Sequence, residues 1–183
     1  MVIGTFIMVA TYSLFYIMTA FAQAYSRTPA TLSEAGYPMG LGIPANTFTG
    51  LLLISAIVFA IFISISGLYA DKIGRRKWLI WTTVSILIFA LCMPLFLGNG
   101  TPTSVFAFLV IGMALMGMTF GPMAALLPEL FPTEVRYSGA SLAYNIASII
   151  GATIAAMISL KINALYGLMG VGIYLAINAF LTL

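Results

Sequence analysis

Residues 44–77 read PANTFTGLLLISAIVFAIFISISGLYADKIGRRK. Residues 44–70 carry no charged side chain, whereas Asp71, Lys72, Arg75, Arg76 and Lys77 crowd into the seven positions that follow. About 20 apolar residues rising 1.5 Å each cross roughly 30 Å of hydrocarbon, so 44–70 is long enough to span a bilayer. Inside lipid the backbone must pair with itself, which leaves a helix or a closed barrel. An unbroken apolar run lacks the in–out alternation of a barrel strand. The stretch therefore reads as a transmembrane helix that stops at a short basic turn.

On either side the same pattern recurs. Apolar runs at 2–24, 78–97, 103–127, 139–160 and 168–183 bring the expectation to six helices in a single bundle covering 1–183, an all-α membrane protein. The last run stops at Leu183, short of a comfortable crossing, so the chain is expected to be part of a longer polypeptide. Connections are expected at 27–43, with Pro29, Pro38 and several glycines, at 97–102, at 128–138 and at 161–167.

Composition agrees. Hydrophobic residues make up 62% of the 183 and charged residues 6%, against roughly 45–50% and 25% in soluble domains. So few charges cannot cover a water-soluble surface of this size. There is no histidine, which excludes imidazole acid–base chemistry and imidazole metal ligation. Cys92 is the sole cysteine and lies in an apolar run, so no disulfide or thiolate metal site is expected. The four acids, Glu34, Asp71, Glu129 and Glu134, are split among three connections. The chain is therefore expected not to be an enzyme and to use no metal or cofactor, and its net charge of +3 is local rather than a nucleic-acid surface.

Basic residues also set an orientation. The connections after the second and fourth runs hold Lys72, Arg75, Arg76, Lys77 and Arg136, whereas the others hold Arg27 and Lys161. Lys/Arg-rich connections stay cytoplasmic, which places both chain ends on the cytoplasmic side of a cell membrane.

The run Gly67-Leu68-Tyr69-Ala70-Asp71-Lys72-Ile73-Gly74-Arg75-Arg76-Lys77 needs more than topology to explain it. Asp71 adds nothing to the positive-inside bias. Gly67, one turn before it, is expected to permit close approach of a neighbouring helix, and Gly74 to permit the reversal. Glu129 ends the fourth run, where an unpaired charge is costly. A partner in the Arg75–Arg76 turn is the expectation, making an ion-pair joint that can open when helices separate.

At every defined position, 67–77 resembles the signature loop of the major facilitator superfamily, G-x-x-x-D-[RK]-x-G-R-[RK]. The segment Glu129-Leu130-Phe131-Pro132 with Arg136-Tyr137-Ser138-Gly139, Tyr144 and Asn145 is similar to that of the metabolite:proton symporters, which include carriers of proline and betaine, α-ketoglutarate, citrate and shikimate. Sugar and organic-ion carriers share the shorter form. The resemblance implies the C-terminal six-helix half of a twelve-helix carrier working by alternating access. It implies a small polar substrate, a proton gradient as energy source and an N-terminal half supplied elsewhere. It also implies a cytoplasmic gate made of Gly67, Asp71, Gly74, Arg75, Arg76, Glu129 and Arg136.

Gly139, Ala143, Ala147, Gly151, Ala155 and Ser159 recur every four residues and are expected to pack a helix closely, as are Gly117 and Gly121. Polar side chains within spans tend to face a bundle interior or a cavity. On that ground Tyr12, Tyr16, Asn46, Tyr144 and Asn145 are the candidate substrate contacts, with Thr19 and Gln23 on the Tyr12–Tyr16 face. None of the six runs contains an acid, so a proton-coupling group is expected outside this chain. A channel-like or purely structural bundle is the alternative of a different class.

Overall fold

The computed structural model describes residues 2–149, 151 and 155–183, by backbone alone at 2–6 and 156. Its helices are α1 (Val2–Tyr16), α2 (Ala22–Arg27), α3 (Ala45–Ile73), α4 (Arg75–Leu91), α5 (Met93–Leu97), α6 (Pro102–Glu129), α7 (Arg136–Ile149) and α8 (Ala155–Thr182). A π-helical turn, Ile17–Phe21, joins α1 to α2 without leaving helical backbone. Among the described residues, four stretches are long and apolar enough to cross a membrane: Ile7–Arg27, Ala45–Ile73, Pro102–Glu129 and Met157–Thr182.

The wide π turn has a packing consequence. Buried positions recur as 13–14, 17–18, 21–22 and 25–26, a strict four-residue repeat. An α-helix at 3.6 residues per turn would rotate that stripe away from the core. One wider turn takes up the difference, so Tyr12, Tyr16, Thr19 and Gln23 stay together on the half-exposed face, as expected.

The boundaries differ from the sequence reading in two places. The third run is not one helix, because α4 ends at Leu91 and α5 begins at Met93. Pro94 has no amide hydrogen for the Ala90 carbonyl, which breaks the ladder there. Gly172 of α8 packs against that carbonyl, where any Cβ would overlap it. The second difference is the connection expected at 161–167, which is helical up to a turn at Gly167 (φ 69°, ψ −171°). A Cβ on Gly170 would stand 2.7 Å from the Ile162 side chain. Eight residues along a straight helix are about 12 Å apart, so the chain doubles back at Gly167 and α8 is two helices. The expected fifth run, 139–160, includes 150 and 152–154, which lie outside the described residues.

After Gly167 the chain returns to the basic end. Asn178 Nδ2 donates to Ser13 Oγ (3.1 Å) and the Ala10 amide to Thr182 Oγ1 (3.2 Å). At the opposite end the 28–44 segment covers the turn. Asn163 Nδ2 donates to the Pro38 carbonyl (3.0 Å), and the Tyr37 ring sits against Gly167.

The larger core joins α1, the π turn, α2, α4, α5, α6 and the returning part of α8 through Leu14, Phe21, Phe89, Phe108 and Val171. A smaller one at the basic end contains Met8, Leu79, Met123, Leu127, Phe131, Ala143 and Ala147. The expected small-residue stripe is buried at Gly139, Ala143, Ala147, Gly151, Ala155 and Ser159. α3 lies outermost, burying only Phe48, Ser55, Ser66 and Ala70. It meets α6 backbone to backbone: a Cβ on Gly117 would be 2.7 Å from the Phe59 carbonyl oxygen, and one on Gly121 2.6 Å from that of Ile63. Ser66 Oγ adds a bond across the seam to the Gly117 carbonyl (2.9 Å).

Candidate functional site

α3 ends at Ile73 and α4 begins at Arg75, so a single residue, Gly74, makes the turn (φ 100°, ψ 121°). Side-chain-bearing residues rarely adopt that backbone, so a glycine here is a steric requirement. The tight turn puts Arg75 four residues after Asp71 at the mouth of the seam between α3 and α6. Its Nε donates to Asp71 Oδ1 at 2.8 Å and its Nη1 to Glu129 Oε1 at 2.5 Å. One guanidinium thereby ties the end of α3, the start of α4 and the end of α6. Only arginine offers two donors in that rigid fork. The bonds to Asp71 and then Glu129 raise the Arg75 guanidinium above its ordinary range, so it stays charged.

Accessibility decides what such a joint can do. The Arg75 side chain is 29% exposed, Asp71 63% and Glu129 58%. Ion pairs this wet are screened and break readily. The arrangement can latch and release but cannot supply much of the fold's stability.

Other expected members of this group are placed differently. Arg76 is exposed and, among the described residues, makes no ion pair. It lines a cavity of about 630 Å³ at the basic end together with Ile7, Leu79, Met123, Leu130 and Leu181. Arg136 also makes no ion pair there; its Nε donates to the Phe131 carbonyl (3.4 Å), steadying the bend between α6 and α7. Gly67 does not provide the close approach, since a Cβ there would meet nothing within 4 Å. The crowded glycine of that contact is Gly121, on the other helix.

The candidate substrate contacts divide. Tyr12 and Tyr144 meet edge to face, ring centroids 5.7 Å apart, joining α1 to α7. Tyr144 continues to Phe120 of α6 (6.2 Å), and Phe120 to Phe59 of α3 (6.0 Å). All four rings are half-buried. Together they form an aromatic row across four helices. Tyr16 packs on Phe15 beside this row (5.1 Å). Asn46 is exposed in the first turn of α3, and exposed Asn145 donates to the Ser141 carbonyl of its own helix (2.8 Å). Neither belongs to the row. Phe59 and Phe120 escaped the sequence reading because apolar residues in apolar helices carry no signal until the helices are placed.

Trp78 was also missed. Its indole Nε1 donates to the Met118 carbonyl of α6 at 2.9 Å, and its ring stacks on Tyr69 of α3 with centroids 6.1 Å apart.

Comparison with known proteins accords with this geometry. The profile of the Major Facilitator Superfamily matches residues 1–156. The chain belongs to the major facilitator superfamily. It is 87% identical over 182 residues to a Haemophilus influenzae protein provisionally named a metabolite transport protein, covering 100% of this chain and 42% of that one. It is 53% identical over 184 residues to the inner membrane metabolite transport protein YhjE of Escherichia coli, covering 100% of this chain and 40% of that one. A proline/betaine transporter of Salmonella typhimurium is 32% identical over 138 residues, covering 73% of this chain and 27% of that protein. The chain therefore spans about two-fifths of the length of the first two relatives. No solved structure matches it. As a superfamily member with several bilayer-length helices, it is a multi-pass membrane protein.

Proposed function

We propose that this chain forms one six-helix half of a twelve-helix secondary transporter, which moves a small polar metabolite across the inner membrane by alternating access. The observation that carries the reading is the Arg75 joint: two carboxylates from α3 and α6 on one guanidinium, at the end of a bundle whose apolar runs carry no charge. Such a joint holds α6 against α3 and α4 in one state and releases it in the other. The segment from Glu129 to Gly139 supports assignment to the second half. The Lys/Arg bias of the same end supports a cytoplasmic position for the joint and both chain ends.

The aromatic row is the surface this half offers to substrate. Its four rings come from α1, α3, α6 and α7, and no acid or base accompanies them in the apolar runs. The relatives' names favour a metabolite as cargo, and compatible solutes and organic acids are the classes to try. Proton coupling belongs in this reading to a group outside the chain. The test is uptake of a labelled panel of such solutes by the complete transporter, with and without an uncoupler. Uncoupler-sensitive accumulation is expected. Equilibration down the gradient, unaffected by uncoupler, would remove the proton coupling and leave a uniporter or a channel.

A further inference from the structure

Pro122 lies inside α6 and has no amide hydrogen, so the Met118 carbonyl one turn earlier lacks its helical donor. In a bilayer no water replaces that donor, and an unsatisfied carbonyl is costly. Trp78 Nε1 supplies the bond from a different helix, α4, at 2.9 Å. The same indole stacks on Tyr69 of α3, planes 22° apart. Trp78 therefore links α3, α4 and α6, the three helices that Arg75 links, one turn farther along α4 from the charged rim. An ordinary interfacial tryptophan turns its N–H toward headgroups. Trp81, 76% exposed on the same helix, fits that description. Trp78 does not.

We propose that Trp78 is a positioning residue for the Arg75 joint. It holds the Pro122 turn of α6 against α4, so that Glu129, farther along α6, arrives at Arg75. When the joint opens, α6 swings about Pro122 and the Trp78–Met118 bond is given up, so that bond stabilises the closed arrangement alone. This rests on the gate reading above.

The test uses the complete transporter in nanodiscs, with Cys92→Ser and nitroxide labels on Lys77→Cys and Thr133→Cys. Pulsed electron paramagnetic resonance reads the distance between the start of α4 and the α6–α7 connection. Trp78→Phe keeps the ring and removes the donor. Loss of one hydrogen bond should raise the separated population about five-fold. Pro122→Ala restores the amide to Met118, and on that background Trp78→Phe should change the population by less than about two-fold. An equal effect on both backgrounds overturns the proposal. So does no effect of Trp78→Phe where Glu129→Gln widens the distribution. If Glu129→Gln itself changes nothing, the gate reading fails and this proposal with it. Should Trp78→Phe fail to fold, benzothienylalanine at 78 removes the N–H at unchanged shape and gives the same reading.

Discussion

Replacing Gly121 by alanine should destabilise the complete protein, while the same change at Gly67 should not. The two glycines sit on the two helices of the α3–α6 seam, but Gly121 points into it and Gly67 away from it. A Cβ on Gly121 would lie 2.6 Å from the Ile63 carbonyl oxygen and 3.1 Å from the Gly67 amide, and would overlap Ser66 Oγ. Backbone atoms cannot rotate away, so α3 must retreat by about half an ångström or more along much of its length. Overpacking of this kind costs about 1–3 kcal/mol. Loss of the Ser66–Gly117 bond adds about 0.6 kcal/mol on the scale of interhelical bonds in membranes. Helix propensity favours alanine over glycine by up to about 1 kcal/mol at both sites. That gain cancels in the comparison, leaving Gly121→Ala about 2–4 kcal/mol below Gly67→Ala. The assay is thermal unfolding of both variants of the complete protein in one detergent, followed by thiol-dye accessibility. Equal melting temperatures, or a larger drop for Gly67→Ala, would refute the packing of α3 on α6 described here.

Further expectations concern the joint and the aromatic row. Gly74→Ala forces an L-residue to φ 100° and should cost about 1–3 kcal/mol, read in the same unfolding assay; an unchanged melting temperature would place the turn elsewhere. Arg75→Lys should uncouple the joint nearly as fully as Arg75→Ala, because an ammonium lacks the fork that reaches both carboxylates. Initial uptake rates check this, and wild-type behaviour of the lysine variant would show that charge alone suffices. Tyr144→Leu and Phe120→Leu should raise KM for the transported solute several-fold with surface expression unchanged, and Asn145→Ala should leave it alone. The reverse pattern would move the contact surface off the row.

The sequence made the local parts of the site visible. Asp71 and Arg75 are four residues apart and Gly74 is the turn between them, so their association follows from short-range geometry. That Glu129 has a cationic partner also followed, from the cost of leaving it unpaired at a span end. Which cation it would be did not follow. Arg75 and Arg76 are chemically equivalent in the sequence, and the phase of α4 against α6 selects the first and turns the second toward the cavity at the basic end. The bend between α6 and α7 sends Arg136 to the Phe131 carbonyl five residues earlier instead of to the charged joint. Trp78 left a trace that could have been read: a proline inside a membrane helix orphans a carbonyl, and some neighbour must donate to it. Only the packing identifies that donor.

By itself the sequence determined that the chain lives in a bilayer as helices and which end carries the charge. These follow from hydrocarbon thickness, backbone satisfaction and the cost of buried charge, all of which act along the chain. Tertiary structure alone decided that 44–70, the apolar run with which the reading began, is the outermost helix of the bundle, held chiefly by its seam against Gly117 and Gly121. It also decided that Gly67 faces open space and that four half-buried rings align across four helices. Those outcomes depend on rotation and register between helices, and side chains of nearly uniform hydrophobicity say little about either.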